Sequence, residues 1–134
     1  MKVIADTNLL IRVATRDDPA QTALAEALLR EANSVAVTTV TLCEFAWVLL
    51  RTYKKPPGEV GMAIRRLLTI SSVTVDRPAV DAGLAILETG GDFADGVIAF
   101  EGRRLGGEVF VTFDRKAAAV IDSAGTTTLL LSEA

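Results

Sequence analysis

Three times in this chain a short apolar run stops at an aspartate: Val3-Ile4-Ala5-Asp6, Val73-Thr74-Val75-Asp76 and Phe110-Val111-Thr112-Phe113-Asp114. Each aspartate precedes a longer stretch with helical periodicity. Short runs rich in Val and Ile that alternate with amphipathic segments are the signature of an α/β fold, here a central, mostly parallel sheet of about five strands flanked by helices. In such sheets ligands bind outside the carboxyl ends of the strands, near a topological switch point. Acids placed there can converge on one site.

The periodicity predicts strands over residues 2–5, 35–38, 72–75, 109–113 and 127–131. Helices are predicted over residues 19–32, introduced by Asp17 and Asp18, and over 41–53, stopped before Pro56 and Pro57. Others follow over 58–68, 77–88, 93–105 and 115–121. Gly90-Gly91 and Gly106-Gly107 mark two helix ends, because glycine best tolerates a left-handed cap. No repeat or linker interrupts the 134 residues, so a single domain over residues 1–134 is expected, with a core large enough to be stable alone.

Every acid named above also stands where a helix needs an oxygen acceptor for its free N–H groups. Asp76 and Asp92 read first as N-caps, and Thr41 followed three residues later by Glu44 matches a capping box. Capping and catalysis make the same demand on the sequence at these positions. Composition narrows the chemistry instead. There is no histidine and one cysteine, Cys43, so Ser-His-Asp triads, Cys-His dyads, histidine-ligated zinc and multi-cysteine zinc knuckles are excluded. Polar chemistry must come from carboxylates, Lys, Arg, hydroxyl groups or a hard cation held by oxygen ligands.

Four blocks in order carry a resemblance. Lys2-Val3-Ile4-Ala5-Asp6-Thr7-Asn8-Leu9-Leu10 resembles the opening of a PIN domain, whose first strand ends in a metal-binding aspartate. Thr41-Leu42-Cys43-Glu44 is similar to the helix with the family's second acid. Asp92-Phe93-Ala94-Asp95-Gly96-Val97-Ile98-Ala99 resembles the third block and Val111-Thr112-Phe113-Asp114 the fourth. The match spans nearly the whole chain, at the size of the VapC-type toxins of toxin-antitoxin pairs. It implies a PIN-like three-layer fold and an acidic quartet of Asp6, Glu44, Asp95 and Asp114 that binds metal and is catalytic. Asn8 and Thr112 are implied as supporting residues, and Asp92 as either a supporting residue or only a cap. Asp95 would lie one helical step beyond Asp92, where the helix N-terminus favours the ionised form.

Crowded carboxylates repel by about 1 kcal/mol per pair at 4 Å in water and about 4 at an effective dielectric near 20. Mg2+ or Mn2+ relieves that repulsion and leaves positions for phosphate oxygens, so phosphodiester hydrolysis is the natural use. RNA as substrate comes from the resemblance and not from charge, since the net charge is -3. Positive charge occurs in pairs, Lys54-Lys55, Arg65-Arg66, Arg103-Arg104 and Arg115-Lys116. Arg115 and Lys116, beside Asp114, are the candidates for RNA contact.

The resemblance further implies an endoribonuclease toxin of a type II pair that forms homodimers and is held inactive by a small antitoxin. With a mean hydropathy of +0.38, the chain has apolar surface to spare for such contacts, on the helix over 41–53 or that over 58–68. Phe45, Trp47, Leu49 and Leu50 are expected in a core or an interface. The longest apolar run, residues 45–50, is far too short for a membrane span, and the cytoplasm is the expected location. Two other classes share parts of this pattern. An aspartyl-phosphate phosphatase needs a second Asp two residues after the first, where Asn8 stands, and a phospho-receiver domain needs paired acids, where Ala5 precedes Asp6. A PIN-like module that binds without cutting is the remaining alternative.

Overall fold

The computed structural model describes residues 1–132 and divides into two compact units, Met1–Asp76 and the remainder from Arg77. The first unit contains β1 (Lys2–Ile4), α1 (Thr7–Thr15), α2 (Pro19–Glu31), β2 (Ser34–Ala36), α3 (Thr39–Arg51), α4 (Pro57–Leu68) and β3 (Val73–Thr74). The second contains α5 (Arg77–Glu88), α6 (Phe93–Arg104), β4 (Phe110–Thr112), α7 (Arg115–Ser123) and β5 (Thr128–Leu130).

All five expected strands form and every pairing is parallel. They make two sheets rather than one: β1-β2-β3 in the first unit and β4-β5 in the second. Hydrogen bonds thus join strands within a unit, in the registers Val3↔Val35, Val35↔Val73 and Val111↔Leu129. The strands are also shorter than the apolar runs. Ala5 still donates to Ala36 O, at 3.0 Å, but Asp6 already turns the chain into α1, so the end of the run serves helix entry.

Within the first unit α1 packs on α2 and α3, and α3 packs on α4. Leu10, Leu42, Phe45, Val60, Ile64 and Val35 are sealed from solvent. Each such side chain stabilises the fold by about 1.5–3 kcal/mol through removal of apolar surface from water. Of the run expected in core or interface, Phe45 and Leu49 are core, whereas Trp47 is 56% exposed. In the second unit α5 packs on α6, with Gly83 against the Phe93 ring and Gly96 against Ala82 and Ile86, while α7 packs on β4 and β5 and buries Ala117, Ala118 and Ile121.

Two local findings bear on the site. The helical stretch expected after Asp6, with no bounds assigned from the sequence, is a helix over Thr7–Thr15 that starts directly at Asp6. And α3 begins two residues earlier than expected, because Thr38 rather than Thr41 is its N-cap: Thr38 Oγ1 accepts from the Thr41 N–H at 3.1 Å. Thr41 therefore lies inside the helix, and the Thr41–Glu44 capping box does not exist. At the other ends the glycines behave as expected, with φ of +96° at Gly90 and +99° at Gly106.

Candidate active site

Of the residues expected at the site, the first unit holds Asp6, Asn8 and Glu44. Asp6 is the N-cap of α1, and its Oδ1 accepts from the Asn8 backbone N–H at 3.0 Å. The Asn8 side chain is exposed. Glu44 stands at the sixth position of α3, past the free N–H groups of the first turn, so no capping role explains it. Its side chain is exposed.

The second unit holds Asp92, Asp95, Thr112, Asp114, Arg115 and Lys116. Asp92 caps α6 by accepting from Ala94 N–H at 2.9 Å. Asp114 caps α7 through two backbone donors, Lys116 N–H at 2.9 Å and Ala117 N–H at 3.1 Å. The hydroxyl of Thr112 accepts from the Asp114 N–H at 3.0 Å. Arg115 and Lys116 are exposed at the start of α7 and form no ion pair with Asp114.

Asp95 differs from the other aspartates. It occupies the third position of α6, is half-buried, and among the described residues has neither a capping bond nor an ion-pair partner. Burial pushes its carboxyl above the ordinary aspartate value, and the nearby charges of Asp92 and Asp114 push in the same direction. The helix N-terminus was expected to favour the ionised form. The balance goes the other way, since Asp92 already occupies the Ala94 N–H and desolvation opposes charge.

The second unit thus brings Asp92 and Asp114 within electrostatic reach of Asp95. Within neither unit, among the described residues, do three acidic or cysteine side chains stand close enough to hold an ion together. A hollow of about 560 Å3 lies elsewhere in the first unit, lined by Val13, Leu29, Arg30, Asn33 and Ile70 and by none of the candidate acids.

The PIN domain family profile matches residues 3–122, nine-tenths of the chain and parts of both units. The chain belongs to the PIN domain family. None of the curated proteins matches it. PIN domains are generally metal-dependent nucleases, typically with divalent cations, and this membership decides against the phosphatase and phospho-receiver alternatives. The donor chemistry of the second unit suits such a cation. Its acids offer hard carboxylate oxygens, and one of them is half-buried with no ion-pair partner among the described residues, the situation a divalent ion relieves. No helix among the described residues is long and apolar enough to cross a membrane.

Sequence reading missed a feature of this PIN domain. Gly83 and Gly96, inside α5 and α6, are buried at the contact between these helices. The signal was there, because glycine in a helix interior costs about 1 kcal/mol against alanine and so points to a close approach. The partner across the contact could not be read.

Proposed function

We propose that this PIN domain is a Mg2+- or Mn2+-dependent endoribonuclease, the toxin of a type II toxin-antitoxin pair. The observation that carries the reading is Asp95, a half-buried carboxylate with no capping bond or ion-pair partner among the described residues, in a chain matched over residues 3–122 by a nuclease family. In this reading the chain is a single PIN domain, supported by a family match over residues 3–122. Asp6, Glu44, Asp95 and Asp114 hold the cation, which when bound supplies positive charge against the scissile phosphodiester.

The chain's own residues do the rest. Asp6 and Asp114 are held by the backbone donors they cap, and Thr112 fixes the peptide that carries Asp114. Arg115 and Lys116, exposed beside Asp114, contact substrate phosphates. Toxins of this kind work in the cytoplasm, as homodimers restrained by a small antitoxin. The exposed Val40 and Trp47 of α3 and Met62 of α4 are apolar surface available to such partners.

One observation favours a second reading, a PIN module that binds without cutting: neither unit gathers three acids closely, among the described residues. Cleavage decides between them. Labelled single-stranded and structured RNAs are incubated with purified protein in Mg2+ or Mn2+ against chelator, beside Asp6→Asn and Asp95→Asn. Metal-dependent cutting lost in both variants supports the nuclease, and no cutting of any RNA supports the binding module.

A further inference from the structure

The contact between α5 and α6 has almost no space at two places. A methyl group at Gly96 would lie 2.5 Å from the carbonyl oxygen of Ala82, 2.8 Å from Gly83 Cα and 2.9 Å from Ile86 Cγ1. One at Gly83 would lie 2.6–2.9 Å from three atoms of the Phe93 ring. The two obstacles differ in kind. Phe93 is a side chain, although a sealed one, whereas at Gly96 the nearest atoms are backbone of α5 and cannot rotate away. By contrast, Gly102, two turns farther along α6, has nothing within 4 Å of an added methyl group.

These contacts frame the acids. Phe93 follows the cap Asp92, and Gly96 follows Asp95, so the segment that carries both acids is the one pressed against α5. We infer that Gly83 and Gly96 are positioning residues for the acidic site: the backbone-to-backbone approach of α5 and α6 sets where Asp95 stands relative to Asp92 and Asp114. The inference rests on the nuclease reading and adds residues that touch neither metal nor substrate. A side chain at 96 must push the first turn of α6 off α5, because the α5 backbone offers no space. Displacement of a reacting geometry by about 1 Å costs on the order of 100-fold in rate.

The test compares Gly96→Ala with two controls, Gly102→Ala on the same helix and Val80→Ala, a core truncation on α5. Melting temperature without metal, Mn2+ affinity by calorimetry, and kcat and KM on a cleaved RNA are read for each. Gly96→Ala is expected to weaken Mn2+ binding about tenfold and lower kcat roughly 10–100-fold, with KM within about twofold. Val80→Ala melts lower and Gly102→Ala does not, while both bind Mn2+ like the parent.

A second pair keeps the inference testable where Gly96→Ala does not fold. Gly83→Ala alone weakens Mn2+ binding, and Gly83→Ala with Phe93→Val, which removes the obstructing ring, restores it. Mn2+ binding and turnover equal to the parent in folded Gly96→Ala, or no rescue by Phe93→Val, overturns the inference alone. A parent protein that binds no Mn2+ and cuts no RNA overturns the nuclease reading and this inference with it.

Discussion

The hydroxyl of Thr112, the last residue of β4, accepts a hydrogen bond from the backbone N–H of Asp114 at 3.0 Å, and so ties the strand end to the residue that caps α7. The loop between them is a single residue, Phe113, which is exposed. Thr112→Val keeps the shape and removes the acceptor. It is expected to cost about 1 kcal/mol of stability, the net worth of one such bond, and several-fold in RNA cleavage, whereas Thr112→Ser restores both. Equal cleavage by parent and Thr112→Val in a matched time course would deny Thr112 its supporting role.

Capping and catalysis, which coincide in the sequence, separate by substitution. Asn caps a helix about as well as Asp, so Asp6→Asn and Asp114→Asn are expected to melt within a degree or two of the parent. Each loses a negative charge from the proposed cation site, and cleavage should fall by about 100-fold or more. Asp114→Ala loses both functions and is expected to melt lower as well, by roughly the 0.5–2 kcal/mol of a lost cap. Full activity in either Asn variant would make that aspartate a cap and nothing more.

Much of this was legible because β-branched runs and their terminal aspartates mark a strand and the next helix at once. All five strands appear near their predicted positions, and Asp92 and Asp114 cap the helices they precede. The misses have physical causes. Helix α1 follows Asp6 as expected but ends on Arg16 with φ of 55°, a left-handed position filled without glycine, so no punctuation marked its end. Thr38, Thr39 and Thr41 are all competent caps, so residue type alone does not choose Thr38 among them. The sheet was read as one because alternation of strands and helices reports connectivity and not which strands share hydrogen bonds.

Asp17 illustrates an acid whose environment is structural. It accepts from the Thr15 hydroxyl at 3.0 Å, from Tyr53 Oη–H at 3.0 Å and from Arg12 Nη1 at 2.8 Å, tying the loop after α1 to the end of α3. The Thr15 bond first, then Tyr53 and Arg12, hold its carboxyl below the ordinary value. A depressed folded-state pKa contributes stability above the unfolded pKa of about 4, and the contribution is lost as pH falls through the folded value. Asp17→Asn is therefore expected to melt slightly lower than the parent at pH 7, with the two curves converging near pH 2. Parallel melting curves at both pH values would show that the charge contributes nothing.

Asp95 carries the opposite sign. Burial, then the charges of Asp92 and Asp114, raise its carboxyl, so the folded state holds the proton more tightly than the unfolded chain does. A raised acid favours folding below the unfolded pKa of about 4 and loses that advantage as pH climbs through the folded value. At pH 7 without metal, the ionised carboxylate is therefore a small burden on the fold. Asp95→Asn, neutral and of nearly the same shape, is expected to melt a little higher than the parent at pH 7 in chelator and no higher near pH 3. On the proposed function a divalent cation is expected to reverse the order, because it would stabilise the parent by binding the folded state and would have one carboxylate fewer to bind in the variant. A rise on adding Mn2+ confined to the parent would tie this one side chain to cation binding, metal-free instability and cleavage together. An equal rise in both proteins would place the cation elsewhere.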